Sequence, residues 1–161
     1  MRPVFENVFS YWRDSGVPIV APLAEAEIRE KLEVAGLCVG EDYINFLAVV
    51  GGMADRDMSL DLWSVWPLDL VLEENRILRG DGVYFADWLI NSHLHLLRRE
   101  ETSRSSVWVD GFDSKGPHRV ADSLLEFWTR YLGRDESIGV PFDDERQANQ
   151  SAQTRPTSRP V

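Results

Sequence analysis

The sequence predicts a single α+β domain, in which a mostly antiparallel sheet of about four to six strands is covered by N-terminal helices and a C-terminal helix. Three observations lead to this class. Helical periodicity dominates the first part of the chain, strand-like alternation dominates the middle, and one more helical pattern precedes a polar tail. At 161 residues, the chain has the length of one domain.

Three helices are predicted in the N-terminal third, because three segments each place apolar residues three or four positions apart on one face. Pro18, Gly36 and the pair Gly51-Gly52 end these segments in turn, since such residues do not continue a helix. The predicted helices are the segment around Phe5 to Trp12, residues 24–35 and residues 41–50, with an extended linker at residues 19–23.

The middle of the chain alternates with a period of two, which is typical of strands. The links between successive strands are short and polar, so neighbouring strands are expected to run antiparallel. Asp122 or Ser123 is the predicted cap of a last helix, which ends at Gly133 and buries Phe127 and Trp128 in the core. The predicted strands are residues 60–66, 82–88, 93–99 and 106–112, and a short helix is predicted at residues 69–76.

These elements divide the chain into three segments. Residues 1–23 form an N-terminal helix and linker, residues 24–140 form the α+β domain, and residues 141–161 form a polar tail. The tail has almost no large apolar residue and is therefore expected to be disordered.

Composition restricts the function. The formal net charge of −10 is expected to repel nucleic acid and anionic membranes, which bind through Lys and Arg, and to attract basic proteins. We find no signal peptide and no apolar stretch that spans a bilayer, so the sequence predicts a cytoplasmic protein. Cys38 is the single cysteine, and its apolar neighbours predict a small buried side chain.

Three motifs stand in order along the chain. The first is an acidic pair followed by Tyr in the third helix, running into the Gly-Gly turn, at residues 41–52. The second is the strand at residues 82–88 with the strand at 93–97, and the third is the strand at 106–109 with the segment 119–128. In this order they resemble the SUKH superfamily, a group that includes bacterial immunity proteins and a yeast cell-wall-assembly regulator.

The resemblance implies a binding role without catalytic residues or cofactors. Bacterial members of the superfamily are largely proposed to be immunity proteins that neutralise polymorphic toxins, often nucleases or deaminases. The leading hypothesis is therefore an immunity protein for a basic, possibly nuclease-type toxin. The alternative, which the yeast relative suggests, is a regulatory or scaffold module that binds an endogenous cytoplasmic protein.

A third hypothesis is a metal enzyme or hydrolase. His93 and His95 lie two apart on a strand and share a face, so they form half of a candidate metal site with Asp87 as a third ligand. No nucleophile elbow, P-loop or dinucleotide fingerprint occurs in the sequence. We therefore expect no enzyme and no bound metal.

The candidate partner-binding residues come from the most acidic part of the chain. Residues 41–90 hold ten acids and three bases, whereas residues 91–133 hold six of each. The acids are interpreted either as a surface for a basic partner or as a solubilising face. The candidates are Asp55, Asp57, Asp61, Trp63, Trp66, Glu73, Glu74 and Asp81.

Two further expectations belong to this surface. Trp63 and Trp66 lie three apart in one predicted strand and so point to opposite faces, which leaves one of them as a possible exposed anchor unless helices cover both. The acids Glu25, Glu27 and Glu30 of the second helix are interpreted as a merely solvated face, separate from the binding surface.

Overall fold

The computed structural model describes residues 1–54, 62–78, 80–111 and 116–140, and this part of the chain contains five α-helices and one five-stranded antiparallel sheet. The predicted α+β class is confirmed. The strands follow one another in the sheet in their order along the chain. The helices are α1 (Arg2–Asp14), α2 (Glu25–Val34), α3 (Glu41–Val50), α4 (Leu68–Glu74) and α5 (Leu124–Leu132), and the strands are β1 (Trp63–Val65), β2 (Val83–Trp88), β3 (His93–Glu101), β4 (Arg104–Gly111) and β5 (His118–Ala121).

Helices α3 and α5 cover one face of the sheet, and α1 packs across both of them. The central contact is aromatic. The rings of Phe46 and Trp128 stack with their centroids 4.8 Å apart, and Trp12 meets Trp128 edge to face. The indole N–H of Trp12 donates to the hydroxyl of Tyr131 at 3.0 Å, inside the core. The N-terminal helix therefore belongs to the same core as the rest of the domain, and Phe127 and Trp128 are both buried, as predicted.

One buried carboxylate joins three elements. Asp42 is 1 % exposed, and its two oxygens accept hydrogen bonds from the backbone N–H groups of Tyr43, Ser105 and Leu124 at 3.0–3.3 Å. These donors stand at the start of α3, the start of β4 and the start of α5. Burial raises the pKa of Asp42, and the hydrogen bonds from the backbone oppose that rise.

A side chain completes the edge of β2 where β1 no longer runs beside it. The amide of Asn75, just after α4, donates from Nδ2 to the carbonyl of Tyr84 at 2.8 Å and accepts at Oδ1 from the Tyr84 N–H at 2.9 Å. The Asn75 amide thus takes the place of one residue of a neighbouring strand, and it attaches the end of α4 to the sheet.

The turn between β2 and β3 consists of non-glycine residues in the left-handed region. Leu89, Ile90 and Asn91 have φ values of 51°, 52° and 61°. The conformation is held by hydrogen bonds from the Leu89 N–H to the Leu62 carbonyl and from the Asn91 N–H to the Asp87 carboxylate, both at 2.9 Å. Ile90, at the tip, is 75 % exposed.

His95 is an uncharged residue of the core. It is fully buried against the rings of Trp63, Phe85 and Phe127, and its Nε2–H donates to the carbonyl of Ile138 at 3.1 Å. Since a carbonyl only accepts, the neutral ring carries its proton at Nε2. Burial lowers the pKa of His95 to about 3.

The substitution Asp42→Asn tests the buried carboxylate. The amide nitrogen of Asn faces a backbone N–H that has lost its acceptor, so the free energy of unfolding is expected to fall by about 1–3 kcal/mol in urea denaturation. The exposed Asp122→Asn is the control and should change it by less than about 0.5 kcal/mol. Equal stability of Asp42→Asn and the wild type would contradict the assigned role.

The same pair of proteins has a predictable pH dependence. Because the pKa of Asp42 is raised in the folded state, its bound proton stabilises the fold at low pH and this contribution is lost as the pH rises through the folded-state pKa. Asn does not titrate. The stability difference between the wild type and Asp42→Asn should therefore be larger at about pH 4 than at about pH 7. A difference that is constant or that grows with pH would contradict the raised pKa.

His95 predicts the opposite pH dependence for the wild type. The pKa of His95 is about 3 in the folded state and about 6.5 in the unfolded chain. Between these two pH values the unfolded chain binds a proton that the folded chain does not bind. The contribution of His95 to stability should be fully present above about pH 6.5 and should fall by about 1.4 kcal/mol per pH unit as the pH drops towards 3. His95→Gln keeps an N–H donor for the Ile138 carbonyl and does not titrate. Urea denaturation at several pH values should therefore show that the variant takes up one proton fewer on unfolding than the wild type, between about pH 3 and pH 6.5. An unchanged slope would show that His95 is not the source.

Candidate functional site

The predicted acids lie in three different situations. Asp55, Asp57 and Asp61 are outside the described residues. Glu73 is exposed and Glu74 is half-buried, both in the last turn of α4, and Asp81 is exposed just before β2.

Of the two alternatives for Trp63 and Trp66, the exposed anchor is wrong and the burial of both is confirmed. Trp63 and Trp66 are 0 % and 1 % exposed. Trp63 faces the helices, where its ring packs against Phe127 and Trp128 of α5. Trp66 is also buried, and its indole N–H is satisfied there by the carboxylate of Asp87 at 2.6 Å. Neither ring is available to a partner in this conformation.

The structure brings the acids of α2 and α4 together. Lys31 on α2 donates to Glu27 on its own helix and to Asp69 on α4, both at 3.2 Å. The acids of α2 therefore do not form a separate solvated face, because Glu27 and Glu30 line the same groove as residues at the end of α4. We call the exposed sides of α2 and α4 together the acidic surface.

The groove between α2 and α4 has a volume of about 700 Å³. Its apolar lining comes from Val34 at the end of α2, Leu37 in the following loop and Leu72 of α4. Val34 is 84 % exposed, whereas Leu37 and Leu72 are half-buried. An apolar strip thus runs between two acidic helices.

The acidic surface keeps its negative charge. Helices α2 and α4 carry seven acids and two bases, and both bases are already paired. Arg29 forms a bidentate ion pair with Glu41, and hydrogen bonding to Asp69 raises the pKa of Lys31. Within the described part of the chain, three acids of this surface have no ion-pair partner. They are Glu30, Glu33 and Glu73.

The histidine pair does not form a metal site with Asp87. The Asp87 oxygens accept from Trp66 and Asn91, and His95 donates to the Ile138 carbonyl. His93 is bonded through Nδ1 to the Ser92 hydroxyl at 2.8 Å. Over residues 1–54, 62–78, 80–111 and 116–140, no group of three or more His, Cys, Asp or Glu side chains is placed to hold a metal ion.

Cys38 is exposed, so the prediction that it is buried is wrong. It lies in the loop between α2 and α3, where Val39 takes the inward position. The Cys38 Sγ accepts a hydrogen bond from Arg99 Nη1 at 3.0 Å. The apolar neighbours in the sequence therefore indicate which segment packs on the core but not which of its side chains points inward.

The residue that the sequence reasoning missed is Val34. It lies four positions after Glu30 and three after Lys31, hence on the polar side of α2. A large apolar side chain on a polar helix face was the available signal.

Neither a scan of the sequence against protein-family models nor a search of the curated proteins finds a match. None of the helices in the described residues has the length and hydrophobicity needed to cross a bilayer. The site is therefore interpreted from its own geometry: two acidic helices with an exposed apolar groove between them.

Proposed function

We propose that this chain is a non-catalytic, cytoplasmic protein-binding domain that neutralises a cognate toxin through its acidic surface. The carrying observation is the charge of α2 and α4, whose seven acids stand against two bases that are already ion-paired. Such a surface matches the basic cleft with which a nuclease holds phosphate groups. The resemblance of three motifs to the SUKH superfamily supports the immunity role, and no cofactor is part of the proposal.

The alternative is a regulatory or scaffold module for an endogenous cytoplasmic protein. It would use the same surface, because the charge selects a basic partner and not a particular activity. The identity of the protein bound in the native host separates the two. A captured protein with toxin activity supports the first, and a housekeeping protein supports the second.

Charge reversal tests the surface. The triple substitution of Glu30, Glu33 and Glu73 to Lys should slow association with the basic partner at least about tenfold at low salt, because the acids act mainly by long-range attraction. The effect should shrink at high salt, where the Debye length is about 3 Å at 1 M. The partner is co-purified from the native host, identified, expressed and used in stopped-flow binding at two salt concentrations.

The matched control reverses three exposed acids that lie on neither helix, namely Asp14, Asp122 and Glu136. This control changes the net charge by the same amount, and its association rate should stay close to that of the wild type. If the control slows association and the Glu30, Glu33 and Glu73 reversal does not, the acidic surface is not the interface. If the native host supplies no basic protein that binds, the proposed function is wrong.

A further inference from the structure

The groove is too open to enclose a small molecule. Pockets for small ligands bury about 70–90 % of the ligand surface. Here Val34, at the end of α2, leaves 84 % of its surface in solvent, and Ala35 beside it is also exposed. A ligand that buries this apolar lining would therefore have to be larger than the groove, as a segment of a protein is.

A helix fits the shape of the groove. Both walls are helices, whose backbone groups are bonded within each helix apart from the ends, so an extended peptide would find few free backbone partners along them. From Glu27 to Val34 the wall is about two turns long. Such a wall receives an amphipathic helix whose apolar residues recur at three and four positions.

The acids beside the groove favour basic residues on the sides of the bound helix. Glu27 and Glu30 line one wall, while Glu73 is exposed on the α4 side. The cation of Lys31 is already bonded to Glu27 and Asp69, and these carboxylates offset its repulsion of an incoming base. Arg76 lies at the α4 end of the groove and favours the negative end of a helix dipole, which is the C-terminus.

We infer that the groove between α2 and α4 receives a basic amphipathic helix of the partner, with its apolar stripe on Val34, Leu37 and Leu72 and its Lys or Arg side chains beside Glu30 and Glu73. The inference rests on the proposed function and specifies how the partner contacts the acidic surface. Burial of the apolar strip contributes affinity, and the acids make the groove specific for a basic partner.

The test uses a fluorescently labelled synthetic peptide of about 14 Leu and Lys residues, arranged so that Leu recurs every three or four positions along a helix. A scrambled peptide of the same composition keeps the charge and removes the apolar stripe. Fluorescence anisotropy with the full chain should show the amphipathic peptide binding at least about tenfold more tightly than the scrambled one.

Two matched substitutions locate the peptide. Val34→Asn removes the apolar contact without adding charge, and Asn has nearly the helix propensity of Val. We expect about tenfold weaker binding. Ile90→Asn is the control, because Ile90 is another exposed apolar residue, 75 % exposed at the tip of the β2–β3 turn, where Asn tolerates a positive φ. It should change binding by less than about twofold.

Two further substitutions test the charge. Glu30→Gln and Glu73→Gln should each weaken binding about threefold at about 0.05 M salt, with little effect at about 0.5 M. Equal binding of the two peptides, or equal loss in Val34→Asn and Ile90→Asn, would overturn the inference.

The failure of this inference is distinguishable from failure of the proposed function. If the native partner loses binding on reversal of Glu30, Glu33 and Glu73 but not in Val34→Asn, the partner binds the acidic surface without a helix in the groove. If the peptide binds through Val34 and no basic protein is captured from the native host, the groove is a helix-binding site but the toxin-neutralising function is wrong.

Discussion

The rest of the structure depends on the hydrogen bonds that a single buried carboxylate accepts. A carboxylate moved out of water costs several kcal/mol unless its oxygens are fully bonded, and Asp42 accepts from three backbone segments that are far apart in the chain. The starts of α3, β4 and α5 are therefore fixed relative to one another. Glu41, the residue before it, binds Arg29, so α2 takes its position from the same point. The acidic surface is thus tied, through two neighbouring residues, to the centre of the fold.

Local patterns predicted the helices well, because glycine and proline residues in the sequence mark where they end. Helix α3 runs from Glu41 to Val50 as predicted, with Gly51 in the left-handed conformation after it. Strand β5 was not predicted as a strand, because four residues that include His118 and Arg119 show no clear alternation. The alternation of apolar and polar residues along a strand also does not show whether both faces of the sheet are covered by other elements. The buried indole N–H of Trp66 is bonded to Asp87, 21 residues away, and no local pattern shows such a contact.

The candidate site was predicted only in part, because it is built by contacts between distant segments. The sequence identified α4 as acidic and placed α2 elsewhere, yet Lys31 and Asp69, 38 residues apart, bring the two helices together. Charge counts along a chain show how much charge a segment has, and they do not show which segments share a surface. The negative charge of the acidic surface is the sum over two helices, and Val34 lines a groove only because residues of α4 and its C-terminal end lie opposite it.

The amide of Asn75 beside β2 has a consequence for how the protein behaves in a crowded solution. An unpaired strand edge is a template on which another chain can add, and growth from such edges leads to fibrous aggregates. In the described part of the chain several backbone groups at the strand edges are already bonded. Asn75 bonds both backbone groups of Tyr84, Met53 bonds both backbone groups of Val65, and Arg130 bonds the carbonyl of Val120. A second copy of the chain that approached these edges would find those backbone groups already bonded, so addition of a strand at Tyr84, Val65 or Val120 is disfavoured.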